Sequence, residues 1–203
     1  MKIYLEEFKK MVDELNQHPE IIVTDFVINP PATEEEIKFA EKKFKLTNDM
    51  LEFYKSANGI TLSWELEDTE DTEDTVRGKI ELLPVEKVFG DWKNTIYFDF
   101  DGGDEFKSLH PLDFFVNEAC AALNLEDSDN PEVYYHYCGE EMNTLKMDFK
   151  EYLNALLKTR GFWYWQTAVV AELTGEEDIE EPEDFRNSMP LLFPDFKLSE
   201  ILK

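Results

Sequence analysis

Two stretches of strict alternation constrain the fold more than any other feature of this chain. Ile60, Leu62, Trp64 and Leu66 alternate with Thr61, Ser63 and Glu65; Val76, Gly78, Ile80 and Leu82 alternate with Arg77, Lys79 and Glu81. A period of two puts every second side chain on one face, so each stretch predicts a strand with one face buried. Between them stands Glu-Asp-Thr written three times, residues 67–75. That segment has nothing to bury and its like charges repel, so it reads as the tip of a hairpin joining two antiparallel strands.

The flanks read as helices. Leu5, Phe8, Val12 and Leu15 repeat at steps of three and four, predicting a first helix that His18-Pro19 ends. Ile21-Ile22-Val23 through Phe26-Val27-Ile28 reads as extended, and Pro30-Pro31 interrupts regular structure. Thr33-Glu34-Glu35-Glu36 spells a capping box, with three carboxylates at the positive end of the helix dipole and Ile37, Ala40 and Phe44 as its buried stripe. A second short helix is expected over residues 48–57, stopped by Asn58-Gly59 with the glycine left-handed. Pro84 opens a short helical piece carrying Val85, Val88 and Phe89. Ile96, Phe98 and Phe100 suggest a third strand that turns at Gly102-Gly103, and Phe106 with Leu109 a fourth. Phe115, Ala119, Cys120 and Leu123 fall at helical spacing; Val133, Tyr135 and Tyr137 mark a fifth strand. Asp148 caps a further helix, with Glu151 three residues on, Phe149, Tyr152, Leu153 and Leu156 packing it and Gly161 closing it.

From Phe162 onward the chain changes texture. Phe162-Trp163-Tyr164-Trp165 leads into an apolar segment ending near Leu173, and these rings read as core. The acidic run Glu176, Glu177, Asp178, Glu180, Glu181, Glu183, Asp184 reads as a linker, and Leu191-Leu192-Phe193-Pro194-Asp195-Phe196 as an arm that docks back. Helices, then strands, then helices predict an α+β fold: a mainly antiparallel sheet of about five or six strands with helices packed on it. We divide the chain into an N-terminal helix and lead-in (1–31), a core (32–161) and an aromatic segment, acidic linker and arm (162–203) belonging to the same domain.

Charge narrows the partners. Twenty Lys and Arg against 46 Asp and Glu leave a net charge of −26, while aromatics at 14% argue against a disordered acidic chain. A surface of that sign repels phosphate backbones and anionic headgroups, so no direct nucleic-acid or membrane partner is expected; it attracts basic proteins. No apolar run approaches the ~20 residues of a membrane span. Met1-Lys2-Ile3-Tyr4-Leu5-Glu6-Glu7 meets acid where a signal peptide carries its apolar stretch. Cys120 and Cys138 form no CxxC pair and suit a reducing compartment. The expected location is therefore cytoplasmic.

Ala32-Thr33-Glu34-Glu35-Glu36-Ile37, Leu46, Leu51-Glu52-Phe53-Tyr54-Lys55-Ser56-Ala57-Asn58-Gly59-Ile60 and Trp64 together resemble the opening of the SUKH superfamily. Gly78-Lys79-Ile80-Glu81-Leu82-Leu83-Pro84-Val85 resembles its next strand and following proline, and Phe149, Tyr152 and Leu153 before Gly161 its closing helix. Thr47 stands where the family usually has Pro after the Leu. The acidic hairpin tip, first helix and C-terminal arm lie outside the common pattern. The resemblance implies an α+β domain that binds other proteins. The group includes a fungal regulator of cell-wall glucan synthesis and bacterial immunity proteins that neutralise toxins, many of them nucleases.

Chemical motifs are sparse. Gly102-Gly103-Asp104-Glu105-Phe106 spells the diguanylate cyclase signature, but the apolar strand that should follow is replaced by Lys107-Ser108-Leu109-His110-Pro111, so the match reads as coincidence. Asp99, Asp101 and Asp104 fail the EF-hand spacing, with His110 where a bidentate Glu belongs. Cys138 and His136, two apart on one strand, share a face without an orienting third group. We therefore expect no catalytic residue, metal or cofactor. The expected contact surface is the hairpin: Trp64 beside the carboxylates of Glu65, Glu67, Asp68, Glu70, Asp71, Glu73 and Asp74, facing a basic protein such as a toxin domain.

Overall fold

The computed structural model describes residues 3–67, 76–98, 106–126, 129–137, 141–175 and 180–202. The first helix, α1 (Ile3–Gln17), buries Phe8, Met11, Val12 and Leu15, the stripe its periodicity predicts. Strand β1 (Ile21–Ile28) follows. Helix α2 (Glu34–Ala40) carries the expected capping box: the Glu36 backbone N–H donates to Thr33 Oγ1 and the Thr33 N–H donates to the Glu36 carboxylate at 2.7 Å. Helix α3 (Asn48–Tyr54) starts on Thr47, whose hydroxyl accepts from the Met50 N–H. It stops three residues before the expected end. Gly59 does have a positive φ of 102°, but its use lies in the turn into β2 (Ile60–Leu66). There a Cβ would meet the Leu82 carbonyl.

Strand β3 (Arg77–Leu82) pairs antiparallel with β2 in the register the alternation demands, Leu62 opposite Ile80 and Trp64 opposite Gly78. Of the expected tip, residues 67–75, all but Glu67 lie outside the described residues; Glu67 donates its N–H to the Glu20 carbonyl. Helix α4 (Val85–Val88) leads to β4 (Leu109–Asp113), β5 (Ala119–Asn124), β6 (Val133–Tyr137) and β7 (Glu141–Met147). The seven strands form one antiparallel sheet in chain order, β1 to β7. Helix α5 (Phe149–Thr159) begins on the Asp148–Glu151 capping box, and α6 (Trp165–Thr174) and α7 (Glu180–Leu192) complete the helical layer.

Three local expectations are corrected. The segment at Ala119, Cys120 and Leu123 is β5, not a helix. All five residues from Ala119 to Leu123 are buried, so the strand shows no alternation, and a continuous apolar run satisfies helical and strand spacing alike. The third strand is absent at Ile96: this residue sits in a turn between the bridged Lys93 and Tyr97, although it is fully buried. Phe100 and Gly102-Gly103 lie outside the described residues. The acidic run is no linker from Glu180 onward, because α7 begins there and buries Phe185 and Met189. The sheet also has more strands than expected. Strand β7 escaped notice because only Leu145 and Met147 of its seven residues are buried.

One hydrophobic core runs from Phe8 to Ile201 under a single face of the sheet, so helices from both chain ends close it. A second, small cluster of Ile96, Phe106, Leu109, Cys120 and Ala122 lies on β4–β5 and the segment preceding them. Between β3 and β4 the ladder nearly fails, with Leu82 opposite Asp113 as its sole register pair. The first half of β3 is instead flanked by the segment after α5. Gly78 bridges Phe162, the Lys79 N–H donates to Gly161 O at 2.7 Å, and the Trp163 N–H donates to Arg77 O at 3.0 Å.

Candidate functional site

The expected contact surface divides on inspection. Trp64 is 1% exposed, its indole N–H donates to the Arg160 carbonyl at 2.7 Å, and its ring packs edge-on against Phe162 and Phe193. It ties β2 to the end of α5 and presents no surface to a partner, so we withdraw it as a contact residue. Alternation had already put it on the core side. Glu65 and Glu67 are exposed at the outer end of β2. Asp68, Glu70, Asp71, Glu73 and Asp74 lie outside the described residues.

The aromatic segment is core at Phe162 and Trp165, 4% and 1% exposed, and half-buried at Trp163 and Tyr164. Arg77 lays its guanidinium 4.0 Å over the Trp163 ring, and the Tyr164 hydroxyl donates to Glu118 at 2.7 Å. Arg160, left-handed at φ 55° where α5 ends, joins three parts of the chain. It bonds Glu14 of α1 at 3.3 Å, donates to the Lys158 carbonyl and lies 4.0 Å over the Phe193 ring.

The polar groups that sequence reasoning missed are interior. Asp113 is fully buried at the β3–β4 gap, where Oδ1 accepts from the Glu81 backbone N–H at 2.7 Å and Oδ2 accepts from the Tyr152 hydroxyl at 2.8 Å. Gln166 Nε2 in turn donates to the Tyr152 oxygen at 3.1 Å. Burial pushes the Asp113 carboxyl up to about 6, against the lowering effect of both hydrogen bonds. The signal for it was slight: a lone Asp between Leu112 and Phe114 in a largely apolar stretch. The chain is sealed from solvent, and it mends the sheet where the backbone ladder gives out.

His136 is likewise buried. Its Nδ1 lies 2.7 Å from the Glu141 carbonyl and so carries the proton, and burial lowers its pKa, leaving a neutral ring. Cys138 is outside the described residues; Cys120, buried, stands directly opposite His136 across β5 and β6. Among the described residues no group of His, Cys, Asp and Glu is arranged to hold a metal ion.

Two adjoining depressions of about 490 and 420 Å³ lie between α1, α5 and the C-terminal segment, floored by Met11, Ala155, Leu157 and Ile201. Their cations are matched in place, Lys158 by Glu200 and Arg160 by Glu14. No helix among the described residues is long and apolar enough to cross a membrane.

An antiparallel seven-stranded sheet with its helices on one face and a sealed polar interior defines an α+β protein whose chemistry, where accessible, is that of its surface. The SMI1 / KNR4 family (SUKH-1) matches residues 31–155, more than half of the chain, and the chain belongs to that family. The matched span runs from just before α2 into α5, leaving α1, β1, α6, α7 and the C-terminal arm outside it. No curated protein and no solved structure matches the chain.

Proposed function

We propose that this chain is a non-enzymatic, cytoplasmic protein-binding module that neutralises a toxin by occupying its basic, nucleic-acid-gripping surface. The observation that carries the reading is the sign and excess of charge: −26 over 203 residues, with seven carboxylates between Glu65 and Asp74. A nuclease grips phosphate with Lys and Arg, and an acidic module competes for the same groups. Steering by that field accelerates association. Family membership supports a protein-binding domain, and the buried position of Asp113, Tyr152 and His136 leaves their chemistry out of a partner's reach.

The test is neutralisation in cells. The basic toxin domain encoded nearest this gene is expressed from an inducible promoter, with and without this chain. Restored growth together with a stable complex supports the proposal. Continued killing at full expression of the folded chain overturns it.

A further inference from the structure

The face of the sheet opposite the core is covered over β4 and β5 by the cluster around Ile96 and Phe106, while over β1–β3 no hydrophobic cluster of the described residues covers it. The register assigns its side chains. Ile22 stands opposite Glu65 and Glu65 opposite Arg77; Asp25 opposite Ser63 and Ser63 opposite Lys79; Val27 opposite Thr61 and Thr61 opposite Glu81. This three-by-three grid exists because β1 bulges between Val23 and Asp25. The extra residue shifts the parity of the strand, so Asp25 and Val27 join Ile22 outside while Val23, Phe26 and Ile28 pack on the core. None of the nine grid residues belongs to a hydrophobic cluster of the described residues. Ile22 is 42% exposed and Val27 45%.

The charges on this face are unequal. Lys79 is paired with Glu81 at 2.7 Å, and Arg77 lies on Trp163. Asp25 and Glu65 on the grid, and Glu20 and Glu67 at its end, are exposed and form no ion pair among the described residues. The face is therefore negative on balance, with Glu20, Asp25, Glu65, Glu67 and Glu81 against Arg77 and Lys79. These charges surround two aliphatic side chains, beside a central row kept shallow by Thr61 and Ser63.

We propose that the β1–β3 face is a docking platform for a cationic protein segment that alternates Lys or Arg with aliphatic side chains. The aliphatic groups sit against Ile22 and Val27 over the Thr61–Ser63 trough. The cations reach Asp25, Glu65, Glu20 and Glu67. Charge complementarity selects this occupant over nucleic acid, and desolvation of the two aliphatic contacts supplies what a screened surface charge cannot. The proposal rests on the reading that the partner is basic and names the surface that meets it.

The test uses two labelled heptapeptides of equal charge, one alternating lysine with isoleucine and one alternating lysine with glycine. Fluorescence anisotropy gives the affinities, and amide NMR shifts locate the site. The isoleucine peptide is expected to bind about fivefold or more tighter, with shifts confined to β1–β3. The combined Ile22→Ser and Val27→Ser variant, exposed at both positions and checked for an unchanged melting temperature, should abolish that preference while keeping the charge-driven remainder. Asp25→Lys with Glu65→Lys should weaken both peptides. Equal affinities, a preference that survives the serine variant, or shifts centred elsewhere overturn the proposal. So does a self-association that the serine variant dissolves, which would make the occupant a second copy. Loss of peptide selectivity beside intact toxin neutralisation removes this platform and leaves the proposed function standing; the reverse result removes the toxin and keeps the platform.

Discussion

Gly78 shows how tightly single residues are held. A Cβ there would overlap Nε1, Cε2 and Cζ2 of the Trp64 ring, which lies across the glycine backbone from the neighbouring strand. The indole cannot withdraw without losing its bond to Arg160 O. Gly78→Ala should therefore destabilise the protein by about 1–3 kcal/mol, the usual penalty for overpacking, read as a lower urea midpoint with unchanged slope. Asp113 makes a second residue-scale prediction, through protons. Its carboxyl titrates at about 6 in the folded chain against an ordinary 3.8, so the folded state binds the proton more tightly than the unfolded one. The contribution of Asp113 to stability is thus fullest below pH 3.8 and declines as pH rises through about 6. Asp113→Asn keeps an acceptor for the Glu81 N–H and cannot ionise. Urea titrations of both proteins should show the parent losing ground to the variant between about pH 4 and pH 7, by on the order of 3 kcal/mol. A pH-independent difference would mean that the Asp113 carboxyl binds its proton equally well in the folded and unfolded chain.

At the scale of elements, α7 departs furthest from its composition. Its first turn is Glu180-Glu181-Pro182-Glu183, which as a string reads as solvated chain. It is a helix because Phe185 and Met189, four apart, fall on one face and bury completely against α6 and the segment after α5. Phe185 stands edge-on between Phe162 and Phe196, 5.4 Å from each ring centre. Phe185→Ala should cost about 3–5 kcal/mol, as large-to-small changes do in a packed core. A melting temperature unchanged within a degree or two would return the segment to the linker its charges suggested. The bulge in β1 acts at the same scale: one extra residue puts Asp25 and Val27 on the same face as Ile22, and so decides what the face opposite the core displays.

For the whole molecule the governing quantity is the field. With 46 acids against 20 bases, surface ion pairs such as Lys9–Glu6 and Lys38–Glu34 are individually worth under about 1 kcal/mol. The excess charge acts at range, on encounter. Converting Glu67 and Glu70 to Gln and Asp68 and Asp71 to Asn removes four charges. Stopped-flow binding to the basic partner should then show slower association and a flatter salt dependence, with dissociation changed less. Association at the parental rate in low salt would take the β2–β3 connection out of the encounter.

Much of this architecture was legible because its causes are local. The capping boxes at Thr33 and Asp148 need only neighbours three residues apart, and the β2–β3 register needs only alternation that buries one face. These gave the helix starts, the hairpin, the α+β class and the family resemblance. Other features depend on residues that meet only in the folded chain. Strand β5 reads as a helix until cover on both faces is known, and β7 is a strand because β6 is beside it. Asp113 is a buried carboxylate because Glu81, Tyr152 and Gln166, drawn from three elements, converge where the ladder breaks. The sequence determined that the surface is acidic. Tertiary structure decided that Trp64 faces inward and that a bulge turns Asp25 and Val27 outward, because burial and register belong to the packed sheet and not to any one strand.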